Sequence, residues 1–126
     1  MIISMKIKVE NPPMLESILA AGMAPSLKTT IFTYWDTIYN PGGVDLPDHL
    51  IEHESTHSLQ QGGHPDAWWT RYVNDSYFRL QQETEAYAAQ YMYICRKVRD
   101  RNRRFLILND LAGFLSGPIY GKMVAR

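Results

Sequence analysis

The sequence predicts one compact α+β domain spanning residues 1–126, and two observations carry that expectation. A chain of this length can bury a real core but cannot build two. Its first third holds two segments of extended character, residues 2–9 and 29–40, and the rest is a succession of helical patterns separated by Gly, Pro and Asx breaks.

The elements follow in chain order. "MIISMKIKVENPP" alternates apolar residues with Lys6 and Lys8, which suits a strand over 2–9 and lacks the continuous apolar core of a secretory signal. No run approaches the roughly 18 to 20 apolar residues of a membrane span. After Pro12-Pro13, "PMLESILAAGM" reads as a short amphipathic helix ending near Gly22. "TTIFTYWDTIYN" is rich in β-branched and aromatic residues and stops at Pro41-Gly42-Gly43, predicting one strand over 29–40, bent near Asp36. A helix is then expected with Asp45 as its cap, Pro47 in its first turn, a pattern running through Leu59, and Gly62-Gly63 as a left-handed exit. Asp66 is expected to cap "AWWTRYV", and "NDS" restarts a longer helix from about Tyr77 to the Val98 region.

"RKVRDRNRR", residues 96–104, gathers six cations around one Asp. It is short and carries no groove-reading motif, so it is read as solvating the end of a long helix, with no nucleic-acid contact expected. "FLILNDLAGFL" is the last helix, stopped by "SGP". Lys+Arg and Asp+Glu are equal at 13 each, so no global field attracts a nucleic acid or an anionic membrane. The single cysteine, Cys95, cannot form an internal disulfide and is expected as a buried small hydrophobe in a reducing compartment.

All four histidines fall within "HLIEHESTHSLQQGGH", three of them at intervals of four. In a helix, positions i and i+4 differ by about 40° in azimuth and lie one turn apart, so His53 and His57 can aim two imidazoles at one point. His53-Glu54-Ser55-Thr56-His57 matches HExxH, in which both histidines bind zinc and the Glu reaches the water on the metal. His49 lies two turns from His57, about 12 Å along the axis. That is too far for three histidines to share one ion, and His49 is assigned a plain place on the helix's N-terminal turn. A third ligand is expected downstream, in "QQETEAYAAQY". Glu83 and Glu85 differ by about 200° in azimuth, so only one can face the metal. Glu83 shares its side with Leu80, Tyr87 and Ile94; Glu85 shares its side with Phe78, Ala89 and Met92, but also with Arg96 and Arg99. Periodicity leans toward Glu83 and leaves Glu85 open.

The chain at this point resembles the Glu-type zincins, or gluzincins, whose HExxH helix is joined by a Glu from a following helix. Several branches carry that Glu first in a Glu-x-x-Ala-(Asp/Asn/Tyr) pattern, which Glu83-Thr84-Glu85-Ala86-Tyr87 matches. The resemblance implies a zincin-like domain in which a small sheet packs on the HExxH helix and a second ligand-bearing helix, with Zn²⁺ held by His53, His57 and Glu83. It also implies that Tyr87, one turn on, supports a ligand histidine where relatives often place Asp or Asn. "FTYWDTIYNP", Trp68-Trp69, "FRLQQE" and "LSGPIYG" further resemble small HExxH proteins of tailed bacteriophages and prophages, a likeness covering about residues 30–122. From it follows an expected place in a bacterial host's cytoplasm or in a virion, with a phage or host protein as partner.

Two imidazoles and one carboxylate leave a tetrahedral position open for water, whose pKa zinc lowers toward about 7. Glu54 is then the expected general base, and hydrolysis of a peptide bond the expected reaction. Zincins bind extended substrates beside a sheet edge, so residues 29–40 are expected to offer that edge. Tyr120 and His64 are candidate donors to a tetrahedral oxyanion. Trp68, Trp69 and Tyr72 are assigned to core or wall, and Phe78, Met92 and Ile94 to core. The alternative is a noncatalytic protein that zinc stabilises, with a structural or interaction role.

Overall fold

The computed structural model describes residues 4–115, with side chains through Leu111. Their elements run β1 (Lys6–Lys8), α1 (Leu15–Ala20), β2 (Phe32–Tyr34), β3 (Thr37–Tyr39), α2 (Asp48–Gln61), α3 (Pro65–Asn74), α4 (Ser76–Lys97) and α5 (Arg101–Leu115). The mixture of helices with a small sheet is the expected α+β class. The three strands stand in the order β1-β3-β2, with β1 parallel and β2 antiparallel to β3.

Residues 29–40 are therefore not one bent strand but a hairpin. Tyr34 pairs with Thr37 across a two-residue turn, Trp35-Asp36. Trp35 stands at φ 57°, where a residue with a side chain costs about 1–2 kcal/mol. Its amide donates to Gln61 Oε1 at 2.6 Å, which holds the turn to the end of α2. Of the strand expected over 2–9, residues 2 and 3 lie outside the described residues, and among the rest β1 covers Lys6–Lys8, its pairing running from Lys6 N–H to Asp36 O through Asn40 N–H to Lys8 O.

Beyond β3 the chain is clasped by Asn40, whose amide donates to Val44 O and accepts from Val44 N–H. Gly42 passes so close to Lys28 that a Cβ there would lie 2.0 Å from the Lys28 carbonyl oxygen. This clasp displaces the start of α2 from the expected Asp45 cap: Pro47, extended at φ −65° and ψ 156°, takes the N-cap position without a side-chain bond. The exit is as expected, with Gly62 left-handed at φ 55°. Asp66 does not cap α3 either. His64 holds the N-cap position with Pro65 next, and Asp66 Oδ1 accepts from the Tyr34 hydroxyl at 2.9 Å. Asp75 does cap α4, accepting from Phe78 N–H at 3.0 Å. The basic segment divides between two helices: Arg96 and Lys97 close α4, whereas Arg101–Arg104 already belong to α5, capped by Asp100.

Met14, Ile18, Phe32, Trp68, Trp69 and Tyr72 form the core cluster, with Phe78 packed against it. This fits the core assignment of both tryptophans. Ile94 is fully buried, but Met92 is 54% exposed, because α4 turns its 83-86-90-94 face inward and Met92 lies off that face. Cys95 is half-buried. α2 lies along α4 and beneath β2, so the HExxH helix sits between the sheet and the long helix. No described helix is long and apolar enough to cross a membrane.

Candidate metal centre

α2 and α4 bring three potential ligands to one place. The ligand atoms of His53, His57 and Glu83 all lie within 4.8 Å of one another, and the three residues are buried. Glu83 Oε1 is 3.1 Å from His53 Nε2 and 3.2 Å from His57 Nε2. Ligands placed tetrahedrally at 2.0–2.1 Å from a zinc-sized ion are about 3.3 Å apart, so the separations of Glu83 Oε1 from both imidazole nitrogens are close to what such an ion needs. Glu83 takes this place because it shares the inward face of α4 with Ala86, Gln90 and Ile94; Glu85 faces solvent.

The surrounding groups orient the ligands. Gln60 Nε2 donates to the Gln82 backbone carbonyl at 3.0 Å, so Gln60 Oε1 is the atom facing His57 Nδ1 at 2.8 Å. His57 Nδ1 must then carry a proton, so that Nε2 is the nitrogen a metal would engage on displacing the second proton. His53 Nδ1 meets Gln90 Oε1 at 2.9 Å, and Gln90 Nε2 meets His49 Nδ1 at 2.8 Å. On the carboxylate side, the Tyr72 hydroxyl donates to Glu83 Oε2 at 2.6 Å, while Oε1 faces the two imidazoles.

Glu54 is buried beside this cluster, its Oε2 3.7 Å from His53 Nε2 and its Oε1 accepting from Thr33 Oγ1 at 2.8 Å. Burial lifts its carboxyl above the ordinary range, against the opposing pull of both imidazoles. For Glu83 burial acts the same way but loses: the two histidines, by charge and hydrogen bond, hold its pKa well below the usual value. Burial disfavours a charged His57, yet Glu83 outweighs it and raises that imidazole to about 9.

A cavity of about 1110 Å³ opens on the cluster, walled by Ile18, Met23, Ile31, Phe32, Leu50 and Leu111 among others. Tyr87 lines it and presses edge-on against His53 with ring centroids 4.4 Å apart. The expected support of a ligand histidine is thus a ring contact, while the hydrogen bond to His53 is made by Gln90. His64 is exposed at the start of α3, where the left-handed Gly62 exit carries it past the end of α2, and it is not among the residues that line the cavity. Tyr120 lies outside the described residues. β2 is an edge strand as expected, but the Thr33 carbonyl already accepts from Gln61 Nε2 and Trp69 Nε1, each at 2.8 Å, so that acceptor is not free to pair with an incoming chain.

Sequence reasoning missed Thr33, Tyr72, Gln60 and Gln90 as site residues. Gln90, seven residues after Glu83 on the same helical face, and Gln60, three after His57, had a periodic signal; Thr33 and Tyr72 had none. Comparison of the chain with protein-family models, with curated proteins and with solved structures gave no match in any of the three.

The His57–Glu83 pair has a measurable consequence in protein stripped of metal. A folded-state pKa of about 9 against the usual 6.5 stabilises the fold fully below pH 6.5 and is lost as the pH rises through about 9. The contribution is on the order of 3 kcal/mol, shared with Glu83 rather than added to it. Thermal melts of chelated protein should therefore lose roughly 10 °C between pH 6.5 and 9. Metal-loaded protein, whose ligand imidazoles are already neutral, should show no such fall across that window. A flat profile for the chelated protein would remove the buried ion pair.

Proposed function

We propose that this protein is a zinc-dependent metallopeptidase of the Glu-ligand zincin kind, with His53, His57 and Glu83 holding Zn²⁺ and Glu54 acting as general base. The observation that carries the reading is the meeting of two imidazoles and one carboxylate oxygen within 4.8 Å of one another, with a second carboxylate, Glu54, 3.7 Å from His53 Nε2 and a cavity in front. The donor set of two imidazoles and a carboxylate suits zinc and, among the described residues, leaves a coordination position open.

A zinc ion held there supplies a Lewis acid and lowers the pKa of a water toward about 7. Glu54, with its affinity for a proton raised by burial, takes the proton from the attacking water and returns it to the leaving amine. Thr33 holds one carboxylate oxygen of Glu54 and leaves the other for that transfer. Tyr72, Gln60 and Gln90 keep the ligand atoms aimed so that little reorganisation accompanies the reaction. The substrate in this reading is a peptide or protein backbone, the setting a bacterial cytoplasm or a virion, and the partner a phage or host protein.

A diverse peptide library, incubated with zinc-loaded and with chelated protein and read by mass spectrometry, tests this. Cleavage that depends on zinc is expected and would give the sequence preference. Stoichiometric zinc without cleavage of any peptide would move the assignment to a noncatalytic protein that zinc stabilises.

A further inference from the structure

The two ligand histidines are held in their tautomers by different means. The amide beside His57 is fixed absolutely, because Gln60 donates to a backbone carbonyl, which can only accept. The amide beside His53 has no such anchor. Gln90 is 1% exposed, and among the described residues its side chain meets His53 at one end and His49 at the other, both rings that can donate or accept. If Gln90 turned over, its NH₂ would face His53 Nδ1, the proton would move to Nε2, and the lone pair that a metal needs would be gone.

We propose that His49 is a positioning residue: by accepting from Gln90 Nε2, it locks the Gln90 amide with its oxygen toward His53 and so holds His53 ready to bind metal through Nε2. The inference rests on the metal-centre reading above. His49 suits the task because it is half-buried against the cavity, four residues before His53, where Gln90 of the facing helix can reach both rings. Burial, then Arg103 of α5, lowers its pKa against the smaller opposing pull of Asp48, which favours the neutral ring, and a neutral ring has one nitrogen able to accept; the contact with Gln90 Nε2 makes that nitrogen Nδ1. Two turns from His57, His49 is too far to be a third ligand, but one turn from His53 it reaches the Gln90 amide that stands behind that histidine.

The test is a double-mutant cycle in zinc affinity, measured by competition with a chromophoric chelator, with cobalt absorption as a second readout of ligand geometry. His49→Leu alone should weaken zinc binding roughly tenfold, the lower end for loss of an orienting partner. Gln90→Glu replaces an amide that must be oriented by a carboxylate that accepts through either oxygen. In that background His49→Leu should cost less than twofold. An equal loss in both backgrounds would mean that His49 only packs, and no loss in either would mean that Gln90 needs no orienting group; each result overturns the proposal. Failure of the native protein to bind zinc at all would instead strike the metal centre itself.

Discussion

Glu54→Gln is expected to lower peptide hydrolysis by 10²- to 10⁴-fold, the usual contribution of a positioned general acid–base, while zinc content stays at the native level. Both halves follow from where Glu54 sits. Its carboxylate stands beside the cluster and not in it, at 3.7 Å from His53 Nε2, whereas Glu83 is the oxygen that both imidazoles face. Glutamine keeps the shape and an oxygen for the Thr33 hydroxyl, but cannot take up a proton at any working pH. The fold should not suffer. Burial raises the Glu54 pKa, meaning that the folded state disfavours the charge above the ordinary carboxylate range, so the neutral isostere should melt no lower than the native protein at pH 7. Atomic absorption, calorimetry and peptide turnover on one preparation give the three readings. Turnover within threefold of native would end the role of Glu54 as base, whereas lost zinc would place it among the ligands.

The parts of this arrangement that sequence reveals are those set by helical periodicity. The i, i+4 spacing of His53 and His57 places them on one face wherever the helix begins, so displacement of the cap from Asp45 to Pro47 changes nothing at the site. Glu83 shows for the same reason, standing in phase with Ala86, Gln90 and Ile94 on the buried face of α4. The β part hides because its turn is made by Trp35-Asp36, which lacks the Gly or Asn that announces a tight hairpin. What allows a tryptophan there is tertiary: Gln61, 26 residues away, binds its amide. Thr33 and Tyr72 reach the site through that same long-range packing, one from the hairpin and one from α3. Nothing in their local sequence distinguishes them from ordinary strand and core residues.

Glu83→Ala is expected to weaken zinc binding roughly 10²- to 10³-fold, and Glu85→Ala to leave it intact. If about 10–16 kcal/mol of apparent zinc affinity is divided among four coordination positions, one ligand accounts for about 3–4 kcal/mol, or roughly 10²- to 10³-fold in Kd. Because the ligands come from α2 and α4, bound zinc also ties the two helices together. At a free concentration of 100 Kd it stabilises the fold by about 2.7 kcal/mol, a gain that Glu83→Ala forfeits. The alanine variant has a second effect, since it leaves His57 and the Tyr72 hydroxyl facing a gap where Oε1 and Oε2 stood. Glu83→Gln separates the two. It keeps the volume and an oxygen for Tyr72, so it should fold without zinc while still binding the ion far more weakly than native protein. Glu85 faces solvent and its removal should shift stability by no more than about 0.5 kcal/mol. Metal content after gel filtration and melting curves with and without chelator decide the matter. Zinc retained in both Glu83 variants but lost in Glu85→Ala would mean that α4 presents its other face to α2, and the centre described above would fall with it.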